Sequence, residues 1–191
     1  MKTRESGMPS EKMWEEFFDP PSVLTKLGLT SNCRDVVEFG CGYGTFTIPA
    51  AQIIQGTIHA LDIDPQMIEE TNSNVHSSKV SNVNLLLRDF VTDGTGMPDA
   101  SIDFVMLFNI LHAVEREAML GEAWRILASN GILAVMHWNF DPNTPRGPSM
   151  DIRPRPSDCK SWVENSGFQM IGSDLIDLPP FHYGFVFKKS C

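Results

Sequence analysis

The chain has 191 residues, a length that fits one globular domain with a buried core. Its hydrophobic content of 42% and charged content of 20% exclude a disordered composition. The formal net charge of -9 argues against a nucleic-acid partner, because an acidic surface repels phosphate backbones. We therefore expect a single domain over residues 1–191.

The amino-terminal segment is polar over residues 1–16 and has no apolar run of the length that a signal peptide or membrane span needs. We therefore expect a cytoplasmic protein without a membrane partner.

The four cysteines show no C-x-x-C spacing, which favours free thiols, and neither Cys41 nor Cys159 is assigned a catalytic role. No His or carboxylate pair has the spacing of a metal site, so no metal is predicted. Residues 11–29 predict helical material that is broken at Pro20 and Pro21.

The middle of the chain alternates short apolar runs with longer helical patterns, which is typical of parallel strands joined by helices. Strands are predicted at 35–39 and 57–61, with a helix over 46–54 between them that tolerates Pro49 near its start. Asp64 and Pro65 begin a second helix, which frays near His76. Further strands are predicted at 83–87 and 102–108, and the apolar 102–108 run indicates a central strand.

The carboxyl-terminal half continues the α/β pattern. A helix over 115–128 is expected to end at Asn130 and Gly131, a pair suited to positive φ, and a fifth strand follows at 132–137. Residues 139–156 are rich in Pro, Gly and Arg and predict a long loop. Ser157 is expected to cap a short helix that ends near Gly167, before two last strands at 168–176 and 181–188.

Three glycines lie at alternate positions directly after the first strand and before the first helix of this pattern: Gly40, Gly42 and Gly44. Glycines there let the backbone turn sharply and let a ligand lie against it, because no Cβ intrudes. The dinucleotide-binding fingerprint would place another glycine where Thr45 stands. The turn therefore indicates a closely held ligand other than a dinucleotide, although a tight turn without any ligand would use the same glycines.

Two acids flank this turn at the ends of the first two strands. Glu38 would repel a pyrophosphate but suits an ammonium group. Asp62 lies about twenty residues past the glycines, where a carboxylate can accept hydrogen bonds from both hydroxyls of a ribose. Ile63 then follows in a position to cover one face of an adenine. The alternative is that Asp62 only caps the next helix.

The ordered segments EFGCGYG, ALDIDPQMIE, RDF, FVMLFNILHAV and WRILASNGILAVMHW resemble successive motifs of the class I S-adenosylmethionine-dependent methyltransferases. The resemblance implies S-adenosylmethionine as cofactor and an α/β, Rossmann-like fold. It implies a seven-stranded, mostly parallel sheet with a reversed last strand and helices on both faces. It places the methionine half of the cofactor at the glycine turn and the adenine against a third strand end. The residues it assigns are Glu38, Gly40, Gly42, Gly44 and Asn109 to the methionine half, Asp62 to the ribose, and Ile63, Asp89 and Phe90 to the adenine.

The amino-terminal residues 1–30 resemble a helical lid over the cofactor, and an aromatic stripe at Trp14, Phe17 and Phe18 fits either such a lid or ordinary core contact. The 139–156 loop is expected near the acceptor site. Its guanidinium groups at Arg146, Arg153 and Arg155 suit an anionic acceptor, whereas a solvated loop is the simpler interpretation. The short chain favours a small-molecule acceptor.

Two histidines are candidate catalytic bases, since histidine is the side chain best matched to proton transfer near neutral pH. His112 and His137 both follow strand ends on the predicted rim, although a packing or capping role is open for each. His59 is expected to be structural, and the orientation of His182 is open.

The alternatives to a small-molecule methyltransferase are a methyltransferase of protein or RNA, a non-catalytic module that senses S-adenosylmethionine, and a nicotinamide oxidoreductase. Glu38 and the missing fingerprint glycine argue against the last of these.

Overall fold

A single mixed sheet forms the centre of the molecule in the computed structural model, which describes residues 9–172 and 174–190. Within those residues the sheet has eight strands, in the order β3-β2-β1-β4-β5-β8-β6, with β7 also paired to β8. The strands are β1 (Asp35–Phe39), β2 (Thr57–Asp62), β3 (Val83–Leu87), β4 (Ile102–Phe108), β5 (Leu127–Trp138), β6 (Phe168–Met170), β7 (Ile176–Leu178) and β8 (His182–Lys189).

The first five strands are parallel to one another, and β8 runs antiparallel to β5. The α/β fold with a reversed last strand is thereby confirmed. Strand β1 pairs with β2 on one side and with β4 on the other, so the chain order reverses at β1. In open α/β sheets, ligands bind outside the carboxyl ends of the strands at such a switch point. The candidate site is therefore expected above β1 and β4.

Helices cover both faces of the sheet because neighbouring residues of the central strands point to opposite sides. Val36, Phe104 and Met106 belong to one buried cluster, together with residues of α2 and α3. Val37 and Val105 belong to the other cluster, with residues of α5 and α6. The helices are α1 (Glu11–Glu15), α2 (Pro20–Lys26), α3 (Thr47–Ile53), α4 (Pro65–Ser78), α5 (Arg116–Ile126) and α6 (Pro156–Asn165).

The predicted turn at Asn130 and Gly131 is wrong. Helix α5 ends at Ile126, and strand β5 begins at the next residue without a left-handed cap. The strand pairing shifts register here, since Ile102 lies opposite Leu127 whereas Phe104 lies opposite Ile132. A Cβ on Gly131 would lie 2.8 Å from the carbonyl oxygen of Ile102. Gly131 is therefore required for a close backbone approach at a bulge, and its φ is not in the left-handed region.

Three other boundaries differ from the prediction. Arg155, not Ser157, is the N-cap of α6, because Pro156 occupies the first helical position and Asp158 accepts a hydrogen bond from the backbone N–H of Arg155. The predicted strand at 168–176 is divided into β6 and β7, and Gly172 between them has a φ of +77°. This division makes eight strands instead of seven. The helical material over 11–29 is broken as predicted, but the break lies over 16–19, and Pro20 and Pro21 begin α2, which Asp19 caps through the backbone N–H of Ser22.

The longest helix of the described residues, α4, has 14 residues. Across 9–172 and 174–190, no helix is long and apolar enough to cross a membrane.

Candidate functional site

The glycine turn follows β1 and folds back onto the end of β2. Gly40, Gly42 and Gly44 all have positive φ, at 78°, 55° and 80°. The backbone N–H groups of Gly40 and Cys41 both donate to the carbonyl oxygen of Leu61. This sharp path is open to glycine because a Cβ is strained in the left-handed region. The turn thus lies across the carboxyl ends of two adjacent strands.

Asp62 fixes the turn from the neighbouring strand. Its carboxylate accepts hydrogen bonds from the backbone N–H of Gly42 and of Asp64, each at 3.0 Å. The residue is only 5% exposed, and this burial raises the pKa of its carboxyl group against the effect of the two backbone donors. A single side chain thereby joins the glycine turn to the start of α4.

Glu38 is a second buried acid, at the end of β1, and is 3% exposed. The Thr47 hydroxyl of α3 donates a hydrogen bond to its carboxylate. Burial raises the pKa of Glu38 to about 8, and the nearby Asp62 adds to the rise while Thr47 opposes it. Within the described part of the chain, neither acid has an ion pair with a lysine, arginine or histidine. Two buried acids without a cationic partner make this place favourable for a positively charged ligand.

A cavity of about 920 Å³ opens beside the turn, close to the upper end of the range for pockets that enclose a drug-sized ligand. It spans the carboxyl ends of β1, β2 and β4 and continues beneath the loop that follows β5. Gly44 and His137 do not line it, and a Cβ on Gly44 would lie 2.9 Å from the Thr71 side chain. The predicted site residues that do line it are Glu38, Gly40, Gly42, Asp62, Ile63, Asp89, Phe90, Asn109 and His112.

Asn109 follows β4 with a left-handed backbone, at a φ of 58°. Its backbone N–H donates to the carbonyl oxygen of Met136, which fixes the residue at the sheet edge. Both polar atoms of its side-chain amide are buried, and neither has a hydrogen-bond partner among the described residues. Since buried polar groups are normally hydrogen-bonded, this amide points to a ligand that supplies its partners.

Asp89 and Phe90 stand at the far end of the cavity, after β3. The carboxylate of Asp89 accepts hydrogen bonds from the backbone N–H groups of Val91 and Thr92 and from the Thr92 hydroxyl. The Phe90 ring meets Phe39 edge to face, with centroids 5.0 Å apart. An acid held in a turn beside an aromatic ring is suited to a flat, polar-edged ring such as a purine.

The loop after β5 is organised by Arg153, which is 8% exposed. Its guanidinium donates to the carbonyl oxygens of Asn139, Asp141, Arg146 and Pro148 and to the Thr144 hydroxyl. The expectation of a solvated loop is therefore wrong for Arg153. The anion-binding role suggested for Arg153 is also wrong, because its donors are already taken by the loop.

The other two arginines of this loop have different surroundings. The Arg155 guanidinium stacks 3.9 Å above the centre of the Phe140 ring and does not line the cavity. Arg146 is exposed and does line it. Of the three arginines, Arg146 alone is placed to meet a bound anion.

Aromatic side chains form the wall between the amino-terminal segment and the sheet. Trp14 of α1 lies 4.9 Å from Phe18 and 6.3 Å from Trp138, measured between ring centroids, and both tryptophans line the cavity. Sequence reasoning singled out Trp14 but missed Thr47, whose position in the first turn of the helix after the glycines was an available signal. It also missed most of the 144–153 lining, since an aperiodic loop gives no indication of which side chains turn inward.

Of the predicted catalytic histidines, His112 reaches the cavity and His137 does not. His112 lines the cavity, and its Nδ1 lies 3.3 Å from Nε2 of the fully buried His137. His182 is buried with its ring 4.2 Å from the Trp138 centroid. His59 is half-buried on β2 and contacts Asn84 of β3. No group of three or more potential metal ligands occurs in the described part of the chain.

Residues 36–131 match the family model described as "Methyltransferase domain". The aklanonic acid methyltransferase DauC of Streptomyces sp. (strain C5) is 32% identical over 105 residues, covering 53% of this chain and 47% of that protein. The ribosomal protein L11 methyltransferase of Anoxybacillus flavithermus is 33% identical over 97 residues, covering 51% of this chain and 30% of that protein. The chain thus spans less than half the length of these curated relatives.

Solved structures share the fold over nearly the whole chain. A SAM-dependent methyltransferase from Aquifex aeolicus superposes with a TM-score of 0.82 at 20% identity, covering 95% of this chain and 94% of that one. The [4+2]-cyclase SpnF superposes with a TM-score of 0.76 at 12% identity, covering 97% and 84% of the two chains. At these identities the likeness shows the fold alone.

Proposed function

We propose that this chain, which belongs to the class I S-adenosylmethionine-dependent methyltransferases, transfers a methyl group from S-adenosylmethionine to a small-molecule acceptor. The observation that carries the proposal is the buried pair Glu38 and Asp62 beside the orphaned amide of Asn109. This set favours a ligand that is cationic and rich in hydrogen-bonding groups, and the cofactor has an ammonium group, a sulfonium and a ribose. The residues therefore fit the cofactor that the family uses.

The cofactor would lie along the strand ends in the order of the chain. Glu38 and Asn109 would hold the methionine half against the backbone of Gly40 and Gly42, where no side chain intervenes. Asp62 would accept from the ribose hydroxyls with its remaining lone pairs. Ile63, Asp89 and Phe90 would enclose the adenine. For Gly44, which does not line the cavity, we propose a role in shaping the turn against Thr71.

Bound S-adenosylmethionine supplies a methyl group that is already activated by its positively charged sulfur. The protein's own contribution is then alignment and the exclusion of water. Trp14, Phe108 and Trp138 line the cavity and give it a largely apolar wall. We propose that the segment around α1 acts as a lid, since the Tyr43 hydroxyl of the glycine turn donates to the carbonyl oxygen of Pro9. Residues 1–8 of the predicted lid lie outside the described residues.

The acceptor would lie beneath the 139–155 loop, beyond Asn109. A cavity of about 920 Å³ that this loop lines suits a small molecule better than a protein segment, and Arg146 in its lining favours an acceptor with an anionic group. The name of one relative, aklanonic acid methyltransferase, denotes a small organic acid as substrate. A protein acceptor is the second candidate, because another relative is named a ribosomal protein L11 methyltransferase.

Cofactor binding can be tested by calorimetric titration with S-adenosylhomocysteine and, separately, with NAD. We expect the first to bind and the second not to. Asp62→Ala should weaken S-adenosylhomocysteine binding by about 2–4 kcal/mol, because two ribose hydroxyls lose a buried charged partner. Glu69→Ala is the matched control, an acid on the exposed face of α4. NAD binding without S-adenosylhomocysteine binding, or an Asp62→Ala variant with wild-type affinity, contradicts the proposed cofactor site.

The acceptor can be sought by a screen that detects S-adenosylhomocysteine release. The panel should pair small aromatic and aliphatic acids with their uncharged analogues, and should include ribosomal protein and RNA fractions. Release with small molecules alone supports the proposal. Release only with the protein or RNA fraction would transfer the assignment to a macromolecular methyltransferase.

A further inference from the structure

Two histidines lie side by side at the acceptor end of the cavity. Nδ1 of His112 is 3.3 Å from Nε2 of His137, and the two rings are inclined at 85°. The parallel pairing of β4 with β5, in which Phe108 lies opposite Met136, brings the two residues together. His112 lines the cavity while His137 is fully buried. The pair therefore extends from the cavity wall into the core.

The surroundings of His137 keep its ring neutral. Burial foremost, and then the neighbouring His112, His182 and Arg153, hold the pKa of His137 well below its usual value. Tyr183 is a further ionisable neighbour, whose ring stacks 6.4 Å away and whose own pKa is raised by burial. Among the described residues that shift the pKa of His137 there is no carboxylate, and a neutral imidazole carries a single proton on one of its two nitrogens.

The contact with His112 uses Nε2 of His137, while Nδ1 of His137 is buried without a hydrogen-bond partner among the described residues. Either ring can donate in such a contact, because a neutral imidazole has one N–H and one lone pair. When Nδ1–H of His112 donates to Nε2 of His137, the lone pair of His112 is on its own Nε2.

We propose that His112 is the general base of methyl transfer and that His137 is the positioning residue that holds it in the required tautomer. This inference rests on the proposed function and narrows the acceptor to molecules with a weakly acidic proton on the atom that is methylated, such as a hydroxyl or a carbon acid. An acceptor methylated on an ionised carboxylate needs no base.

The step balances without a further reactant. The proton leaves the acceptor atom for Nε2 of His112, and the electron pair left behind forms the new bond to the methyl carbon. The electron pair of the broken carbon–sulfur bond stays on sulfur and discharges its positive charge. The resulting imidazolium still donates through Nδ1 to the neutral His137, and it later releases its proton to solvent.

Other ionisable groups also line the cavity and contribute to any pH dependence. They are Glu115, Arg146, Asp151 and Arg153 on the acceptor side and Glu38, Cys41, Asp62 and Asp89 on the cofactor side. The test must therefore report on His112 itself in addition to activity.

The tautomers can be read from the nitrogen chemical shifts of the imidazole rings. Long-range proton–nitrogen spectra of ¹⁵N-labelled protein, with and without S-adenosylhomocysteine, would show five histidines, and the His112→Gln spectrum would identify His112. We expect a protonated Nδ1 and an unprotonated Nε2 on His112. The opposite tautomer overturns the proposal. Because these spectra require no acceptor, this outcome is independent of whether methyl transfer is found.

Activity with an acceptor from the screen gives the second test. His112→Gln should lower kcat about 10²- to 10⁴-fold with little change in the acceptor KM, and should remove the contribution of His112 to the acid limb of the kcat profile, measured at saturating cofactor so that Glu38 and Asp62 do not titrate with it. His137→Leu should lower kcat at least about 10-fold, and His137→Gln should recover part of that loss because its amide oxygen can accept from Nδ1–H. His76→Gln, on the exposed face of α4, is the control. An unchanged acid limb in His112→Gln contradicts the proposal even when cofactor binding is intact.

Discussion

The two ends of the cavity are built in different ways. At the cofactor end, backbone groups of the glycine turn and of β2 hold the acids in place, and Asp62 is fixed by N–H groups 20 and 2 residues away. At the acceptor end, one buried side chain, Arg153, holds the loop by donating to atoms of five other residues. The cofactor end thus depends on the sheet itself, whereas the acceptor end depends on the contacts of one side chain within its own loop.

The two ends also differ in whether their buried charged groups have partners. The cofactor end buries two carboxyl groups with no cationic partner in the described chain, and their ionised forms are costly until a positively charged ligand arrives. The acceptor end buries a guanidinium, but carbonyl and hydroxyl oxygens satisfy it. The cofactor end is therefore prepared for a cation, and the acceptor end is stable without a ligand.

The largest expected effect concerns pH and Glu38. Its pKa of about 8 in the folded protein exceeds the ordinary value of 4.5, so the folded state binds more protons than the unfolded state between those values. The stability that this group contributes is present below pH 4.5 and is lost as the pH rises through 8. At 1.36 kcal/mol per unit, the ligand-free protein should lose about 3–5 kcal/mol over this window. Denaturant unfolding at several pH values measures it.

Glu38→Gln should remove most of that dependence of stability on pH, because an amide does not titrate. The variant should still fold, since the amide oxygen can accept a hydrogen bond from the Thr47 hydroxyl. Wild-type protein should also release a proton on binding S-adenosylhomocysteine, which calorimetry in buffers of different ionisation enthalpy detects. Glu69→Gln serves as the control for a change of one charge. If Glu38→Gln unfolds with the same pH dependence as wild type, burial of Glu38 does not destabilise the ligand-free protein, and the cofactor end does not differ from the acceptor end in this respect.

Sequence reasoning succeeded where structure is set locally. Strand β1 was predicted with its exact bounds because a β-branched run ends at a glycine, and Asp64 was expected to start α4 because proline follows it. The acids Glu38 and Asp62 were then placed by position alone at the ends of two strands. Their individual roles toward the cofactor remain predictions.

Sequence reasoning failed where a residue depends on distant neighbours. The sequence predicts that Gly131 caps a helix, but a glycine is needed there because the carbonyl oxygen of Ile102, on another strand, leaves no room for a Cβ. The sequence predicts for Arg153 only a cation in a loop, because its carbonyl partners belong to the backbone and leave no side-chain pattern. The contact between His112 and His137 follows from the pairing of β4 with β5, which was not available from either segment alone.

A smaller effect should follow from Arg153→Met, which keeps the length of the side chain but removes its donors. The loop carbonyls can regain water by opening, so we expect a loss of about 2 kcal/mol in the free energy of unfolding. Amide exchange over 139–155 should become faster, and S-adenosylhomocysteine affinity should change less than about threefold, on the order of 0.6 kcal/mol. Exchange at wild-type rates in this loop would mean that its prolines and glycines, not Arg153, define its structure.

The smallest expected effect separates the two exposed arginines of the acceptor end. Arg146 lines the cavity and Arg155 is stacked on Phe140 away from it, so Arg146→Ala should raise the KM for an anionic acceptor and Arg155→Ala should not. A solvent-exposed charge pair is worth at most about 1 kcal/mol, which corresponds to a KM rise of roughly fivefold. The rise should shrink with added salt, because exposed charges are screened. It should be absent for the uncharged analogue of the same acceptor, since that molecule has no group for the guanidinium to meet. Equal KM changes for charged and uncharged acceptors would instead assign Arg146 to the shape of the loop, leaving the acceptor end without a charge preference.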